Sequence, residues 1–371
     1  MPTMVHIGVI GCGVISKIYF QNLTTVMKNV QVIACADLVE EKAKTAAETY
    51  GIPKVCSVDE LLSDPDVDLV LNLTIPKAHY SICKAALLAG KSVHVEKPLS
   101  VTREEGAELV ALAKEKGLFL GGAPDTFLGA GNQTCRKLID DGWIGQPVAA
   151  AVNMIGHGHE RWHPDPAFYY QVGGGPVFDM GPYYLTGLVN LLGPVKAVTA
   201  EAKTTFAQRT ITSEPKFGTL IDVEIPTHVN GILRFDSGAT ASLTMSFDVW
   251  SATQPRFEVY GTEGSLQVPD PNIFGGEVLV RRHDQKEWTV VPYTHGYSDN
   301  SRGLGVADMA RCIADGRPQG SNRCSGELAY HVLDVMHALH DAAAQGRRVT
   351  LESTVARPRP MSTMLLAGTV D

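Results

Sequence analysis

The sequence lacks several features whose absence narrows its class. No block of lysines and arginines occurs, and the formal net charge is −8. Nucleic acid and anionic membrane are therefore not expected as partners. No apolar run approaches the roughly 18 residues of a membrane span. The first strand pattern begins so early that no signal peptide is expected ahead of it. There is no C-x-x-C pair. The seven cysteines (Cys12, Cys35, Cys56, Cys83, Cys135, Cys312, Cys324) are scattered and odd in number. That pattern predicts reduced, mostly buried thiols in a cytoplasmic protein. No internal repeat or low-complexity tract interrupts the 371 residues, a length that predicts two domains, each with its own core.

What is present is organised around residues 5–16, V-H-I-G-V-I-G-C-G-V-I-S. An apolar run climbs to Gly11, the chain turns through Gly11-Cys12-Gly13, and a helical pattern begins at Ser16. A glycine turn between a buried strand and a helix presents free backbone N–H groups at the positive end of the helix dipole, which suits a pyrophosphate. Gly11, Gly13, Val14 and Ile15 are the expected contacts. Ser16 stands where a third glycine is usual, small enough for the helix to pack on the strand.

A second apolar strand, residues 30–36, ends at Asp37, roughly 20 residues beyond the glycines, where a ribose-binding carboxylate is expected. Asp37 would repel a 2′-phosphate, and residues 38–41 offer no arginine to receive one. The expected cofactor is NAD rather than NADP.

Helix and strand alternate over residues 1–123, the signature of a parallel sheet. Helices are expected over 16–28, 40–50, 77–89 and 103–116, and further strands over 68–75, 92–95 and 118–122. Ligands of such a sheet sit beyond the carboxyl ends of its strands. That rim carries Gly11, Asp37, Thr74, Pro76, Glu96 and Lys97. Lys97 stands out, because a lysine half-withdrawn from water has a lowered pKa and can act as acid or base near neutrality.

The G-x-G turn, Thr74-Ile75-Pro76 with His79, and Glu96-Lys97-Pro98 resemble the Gfo/Idh/MocA oxidoreductase family. The resemblance implies an N-terminal Rossmann domain with a cofactor site that includes His79 and Glu96. It also implies a lysine, here Lys97, that hydrogen-bonds the substrate hydroxyl beside the nicotinamide, and a bond before Pro98 that is often cis. Over residues 124–371 it implies an α+β domain with a large, mostly antiparallel sheet. The hairpin patterns at 227–235/239–247, 256–260/265–268 and 277–281/287–291 fit that sheet, with helices over 131–141, 176–192, 303–314 and 326–345. An exposed sheet face demands a partner, so a homodimer or homotetramer through this sheet is expected. His331, His337 and His340 on the last helix read as surface and interface histidines.

Asp125, at the crossing into the second domain, is an expected substrate contact. The loop His157-Gly158-His159-Glu160-Arg161-Trp162-His163, followed by Tyr169, combines rings that stack on sugar faces with groups that bond hydroxyls. His157, His159, Trp162, His163 and Tyr169 are the expected contacts. Its three histidines also invite a zinc reading, but no cysteine or clear carboxylate completes a set, so no metal is expected.

Residues 173–184 carry a second resemblance, to the family's G-G-G…D-x-G-x-H signature. Tyr183 replaces the usual histidine, as in the glucose–fructose oxidoreductase branch. Asp179 and Tyr183 are four apart and share a helix face. Pro182 should bend that helix and free a carbonyl near the pair. A tyrosine, with an ordinary pKa near 10, needs Lys97 or Asp179 nearby to work at neutral pH, so the general base is Lys97 or Tyr183. Three functions follow. The favoured one is hydride transfer between NAD and a secondary hydroxyl of a sugar, inositol or sugar derivative. The others are an NAD-retaining glycosidase working by transient oxidation and elimination, and a non-catalytic NAD sensor.

Overall fold

A computed structural model of the protein describes residues 4–371. The first sheet contains β1 (Val5–Ile10), β2 (Val30–Ala36), β3 (Lys54–Val55), β4 (Leu69–Asn72), β5 (Ser92–Val95) and β6 (Leu120–Gly122). All neighbours are parallel, in the order β3-β2-β1-β4-β5-β6. The inner strands are buried on both faces, which is why they read as continuous Val/Ile/Leu runs. Strand order reverses at β1, so a crevice opens beyond its carboxyl end.

The helices of this half are α1 (Ser16–Thr25), α2 (Glu40–Tyr50), α3 (Val58–Ser63), α4 (Pro76–Leu88) and α5 (Arg103–Lys116). Pro76 opens α4, where its missing N–H costs nothing. A reciprocal Thr102–Glu105 capping box starts α5. Three expected elements are shorter than their patterns, one of them β6, which covers Leu120–Gly122 of the expected 118–122. α1 stops at Thr25 rather than 28, and β4 covers only Leu69–Asn72 of the expected 68–75. Residues 73–75 are thereby released to the rim, and Asn72 holds them there by accepting from the Thr74 N–H (3.2 Å) and hydroxyl (2.6 Å).

The second sheet is assembled from the remainder: α6 (Ala130–Asp140), β7 (Pro147–Ile155), α7 (Gly175–Leu192), β8 (Val195–Lys203), β9 (Gln208–Thr210), β10 (Leu220–Asp222), β11 (His228–Phe235), β12 (Thr240–Ser246), β13 (Phe257–Gly261), β14 (Gly264–Gln267), β15 (Leu279–Arg282), β16 (Thr289–Val290), α8 (Leu304–Ala314), α9 (Gly326–Gln345) and β17 (Val349–Thr350). Nine strands run β16-β15-β14-β13-β7-β12-β11-β8-β17, while β9 and β10 form a separate hairpin. Within the large sheet β7 and β12 are parallel and the other pairs antiparallel. Along β11, Val229, Leu233 and Phe235 point into the core, and Asn230, Ile232 and Arg234 point out. The inner face lies against α7 and α9. The outer face on β8, β11 and β12 is mostly Thr, Ser, Asn and charged residues, with Ile232 its isolated exposed aliphatic.

The C-terminal helices return to the first sheet. Arg103 on α5 pairs with Asp334 (2.7 Å) and Asp341 (2.9 Å) on α9, and the Gly122 N–H donates to the Cys324 carbonyl (3.1 Å). Of the histidines of α9, His331 faces inward, and His337 and His340 are half-buried. His331 is fully buried and accepts the Val195 N–H at Nε2 (3.0 Å), and His337 and His340 pack on Phe178. These rings thus pack against the start of β8 and against α7.

Candidate active site

The glycine turn is built as its sequence requires. Gly11 has φ +101°, and a Cβ there would lie 2.7 Å from the Leu73 backbone. Only glycine fits that approach of β1 to β4. A Cβ at Gly13 would meet no heavy atom within 4 Å, so its backbone faces open space. The Ser16 hydroxyl donates to the Gly13 carbonyl (2.7 Å) and closes the turn onto α1.

From this turn a cleft of about 820 Å³ runs across the sheet rim to α7. Gly11, Gly13, Val14, Ile15, Asp37, Thr74, Pro76, Glu96, Lys97, Tyr169, Asp179 and Tyr183 all line it. Twelve of the residues expected from sequence thus share one cavity, although they come from separate strand ends and one distant helix. Asp37 is tied to the glycine turn by one oxygen and to its own segment by the other. Oδ2 accepts from the Cys12 N–H and Oδ1 from the Val39 N–H, each at 2.8 Å. The open Gly13 backbone and the Asp37 carboxylate at the end of β2 fit a dinucleotide. Lys42 also lines the cleft. It follows directly on residues 38–41, which carry no basic side chain.

At the far end, the Lys97 ammonium donates to the Asp179 carbonyl (2.7 Å) and to Asp179 Oδ1 (3.1 Å). It lies 5.3 Å from the Tyr183 ring centroid. The Lys97–Pro98 bond is cis. Glu96 braces the same turn, accepting from the Tyr19 hydroxyl at Oε1 (2.7 Å) and from the Lys97 N–H at Oε2 (2.9 Å). The carbonyl that Lys97 uses belongs to Asp179, whereas Pro182 removes the N–H that would otherwise bond residue 178.

The electrostatics correct one expectation. Burial alone would push the Lys97 ammonium toward neutrality, but Asp179, Tyr183 and Glu96 outweigh it and raise its pKa. Lys97 is a firmly charged cation, not a lysine tuned down to neutral pH. Asp179 pays the same burial penalty in the opposite sense. Lys97 first, and then His159, override it and hold the carboxyl down at about 2. Burial raises the Tyr183 phenol, with Lys97 and Arg302 pulling the other way. Arg302, in the loop before α8, is held by Asn272 (2.9 Å). Its sequence neighbourhood carries no recognisable motif.

Several expected contacts lie elsewhere. His79 is fully buried and its ring bridges the carbonyls of Pro98 (2.6 Å) and Thr74 (3.0 Å). It ties two rim loops together from below instead of facing the cleft. Asp125 is also buried, accepting the N–H groups of Gly303 (2.8 Å) and Gly305 (3.0 Å) at the start of α8. Its carboxylate satisfies a helix terminus rather than a substrate, and burial raises its pKa to about 6. His157 stacks on Trp250 at 3.4 Å, outside the cleft lining. His163 accepts the Asp165 N–H (3.0 Å) and packs edge-on to Phe168 and Tyr169. Trp162 is 63% exposed and lies against His159 and His163. Only Tyr169 of this loop set lines the cleft, together with Phe168, while His159 reaches Asp179 from behind it (3.3 Å). Among the described residues no group of three or more His, Cys, Asp or Glu could hold a metal. No helix among them is long and apolar enough to cross a membrane.

Comparison with known proteins bears on both halves. A family model described as "Oxidoreductase family, NAD-binding Rossmann fold" matches residues 5–122, and one described as "GFO/IDH/MocA C-terminal domain" matches residues 132–267. A 1,5-anhydro-D-fructose reductase from Ensifer adhaerens is 32% identical over 243 residues, 64% of this chain and 67% of that one. A scyllo-inositol 2-dehydrogenase (NADP(+)) from Bacillus subtilis is 22% identical, over 94% of this chain and 96% of that one. Among solved structures, levoglucosan dehydrogenase in complex with NADH aligns with a TM-score of 0.79 at 22% identity, over 95% of this chain and 100% of that one. At that identity the likeness speaks to the fold alone. Taken with the shared cleft, these matches establish that the chain belongs to the Gfo/Idh/MocA oxidoreductase family.

Proposed function

We propose that the protein is an NAD-dependent oxidoreductase that transfers a hydride between NAD and a secondary hydroxyl of a sugar, inositol or sugar derivative. The observation that carries this reading is the Lys97 ammonium, bonded twice to Asp179 at one end of a cleft whose other end is the glycine turn. The dinucleotide would be held by the backbone of Gly11 and Gly13, by Asp37 and by the Thr74–Pro76 rim, and when bound it supplies hydride acceptance and donation. Lys97 keeps one ammonium proton free of Asp179 and directs it to the substrate oxygen. In carbonyl reduction it gives that proton up. In alcohol oxidation it must first be neutral to receive one. Tyr183, a protonated phenol at neutral pH, donates a second hydrogen bond. Asp179 remains anionic and fixes Lys97. Proton transfer by a placed group contributes roughly 10² to 10⁴ in rate, and positioning adds to it.

The preference for NAD rests on Asp37, whose charge opposes a 2′-phosphate. The substrate class rests on relatives named for an anhydro-sugar and an inositol. Pairing of two chains through the outer face of the large sheet belongs to the same proposal, and light scattering of the purified protein tests it. The activity is tested by a panel of sugars, anhydro-sugars and inositols, in both directions, with NAD and NADP, followed by NADH absorbance. Turnover with NAD on at least one polyol is expected, and Asp37→Ala should relax the choice toward NADP. No turnover on any member overturns the reading.

A further inference from the structure

Tyr183 leaves Asp179 without an imidazole from its own helix, yet an imidazole reaches the same carboxylate from another element. His159, in the loop after β7, places Nε2 3.3 Å from Asp179 Oδ2, while Lys97 holds Oδ1 at 3.1 Å. Facing a carboxylate, Nε2 must carry a proton. The residue is firmly placed. Its backbone N–H donates to the Tyr170 hydroxyl (3.2 Å), its ring stacks on Tyr169 at 3.8 Å and 13°, and the neighbouring Glu160 is anchored by Arg209 at 2.6 Å.

We propose that His159 is a positioning residue of the hydride-transfer site, which by occupying Asp179 Oδ2 keeps Oδ1 on Lys97 and so keeps Lys97 aimed into the cleft. This inference rests on the function proposed above. The torsion that rotates a carboxylate is broad and weakly held. A carboxylate bonded on one oxygen can therefore swing, and one bonded on both cannot. The charged and titratable groups facing Asp179 are Lys97 from the turn after β5, His159 and Tyr169 from the loop after β7, and Tyr183 from α7. Of these, Lys97 and His159 oppose burial and favour the anion. Loss of His159 leaves Lys97 with a slacker and less acidic partner.

Two variants and one spectrum test this. His159→Phe keeps a ring for the stack on Tyr169 but has no donor, and His159→Gln restores an N–H near the Nε2 position. The phenylalanine variant is expected to lose about tenfold or more in kcat, with the acid limb of its pH profile moved to higher pH and NADH affinity unchanged. The glutamine variant should recover most of both. A phenylalanine variant with wild-type kcat and limb overturns the proposal, as do equal losses in the two variants with an unmoved limb. In the ligand-free protein labelled with ¹⁵N-histidine, the His159 Nε2 resonance should shift in Asp179→Asn, and an unmoved resonance also overturns it. A wild type inactive on every substrate overturns the functional reading instead, and the spectrum then decides alone whether His159 holds Asp179.

Discussion

The Lys97 ammonium grips Asp179 twice, 2.7 Å from its main-chain oxygen and 3.1 Å from its carboxylate. One of its three protons is thereby left for a substrate. Lys97→Ala is expected to lower kcat by roughly 10² to 10⁴, the contribution of a placed proton donor. NADH affinity, measured by fluorescence titration, should change little, because the turn and Asp37 lie at the other end of the cleft. Wild-type turnover in this variant removes Lys97 from the chemistry.

The same pair sets a pH dependence whose sign follows from the shifts. Lys97 is raised, so its neutral form is scarce at neutral pH and grows as pH rises. Alcohol oxidation should therefore climb by up to about tenfold per pH unit through the alkaline range, and carbonyl reduction, which uses the abundant ammonium form, should stay level there. Asp179→Asn removes the anion that keeps Lys97 charged and should bring the climb to lower pH. In stability the senses are opposite. The raised Lys97 stabilises the fold below its unfolded pKa and ceases to do so as pH rises through its folded value. The depressed Asp179 stabilises it above its ordinary range and ceases to do so as pH falls toward about 2. Initial-rate profiles in each direction and denaturation against pH measure these effects.

Gly11 and Gly13 should respond differently to the same change. Gly11→Ala meets the Leu73 backbone at 2.7 Å with φ +101°. It should cost at least about 1–3 kcal/mol in urea unfolding, from backbone strain alone. Gly13→Ala meets nothing within 4 Å and should leave unfolding unchanged while weakening NADH binding. Equal stability losses in the two would contradict the assignment of Gly13 to the cofactor.

Arg209 sits beneath the loop after β7, bonded to Glu160 (2.6 Å), the Phe247 carbonyl (2.7 Å) and Asp248, with all three charged side chains buried. Arg209→Met strands two carboxylates and should cost about 3–5 kcal/mol, the usual result of halving a buried ion pair. Because Glu160 adjoins His159, its kcat should fall as well. Calorimetry and initial rates read the two effects, and a fully stable variant would contradict the role of this cluster in holding the loop.

Local pattern carried much of the architecture. The apolar strands, the glycine turn, Asp37 and the E-K-P corner lie within short stretches whose chemistry is read residue by residue, and all reach the cleft. Besides α3 and the two-residue β3 and β17, three strands were missed: β8, β9 and β10. The first alternates with alanine and lysine, which signal strands weakly, and the other two are only three residues long.

Residue type at a given spacing determined which side chains could do chemistry. It did not decide which way they face or how they are charged. His79 and Asp125 had the right type on the right rim, and packing turned both inward to bond backbone groups that would otherwise be buried unpaired. The lysine at 97 could be recognised in the chain, but its charge state depends on a carboxylate 82 residues away. Burial and neighbouring charge act through space, so only the folded chain could decide that Lys97 is a cation and that the histidine meeting Asp179 is His159.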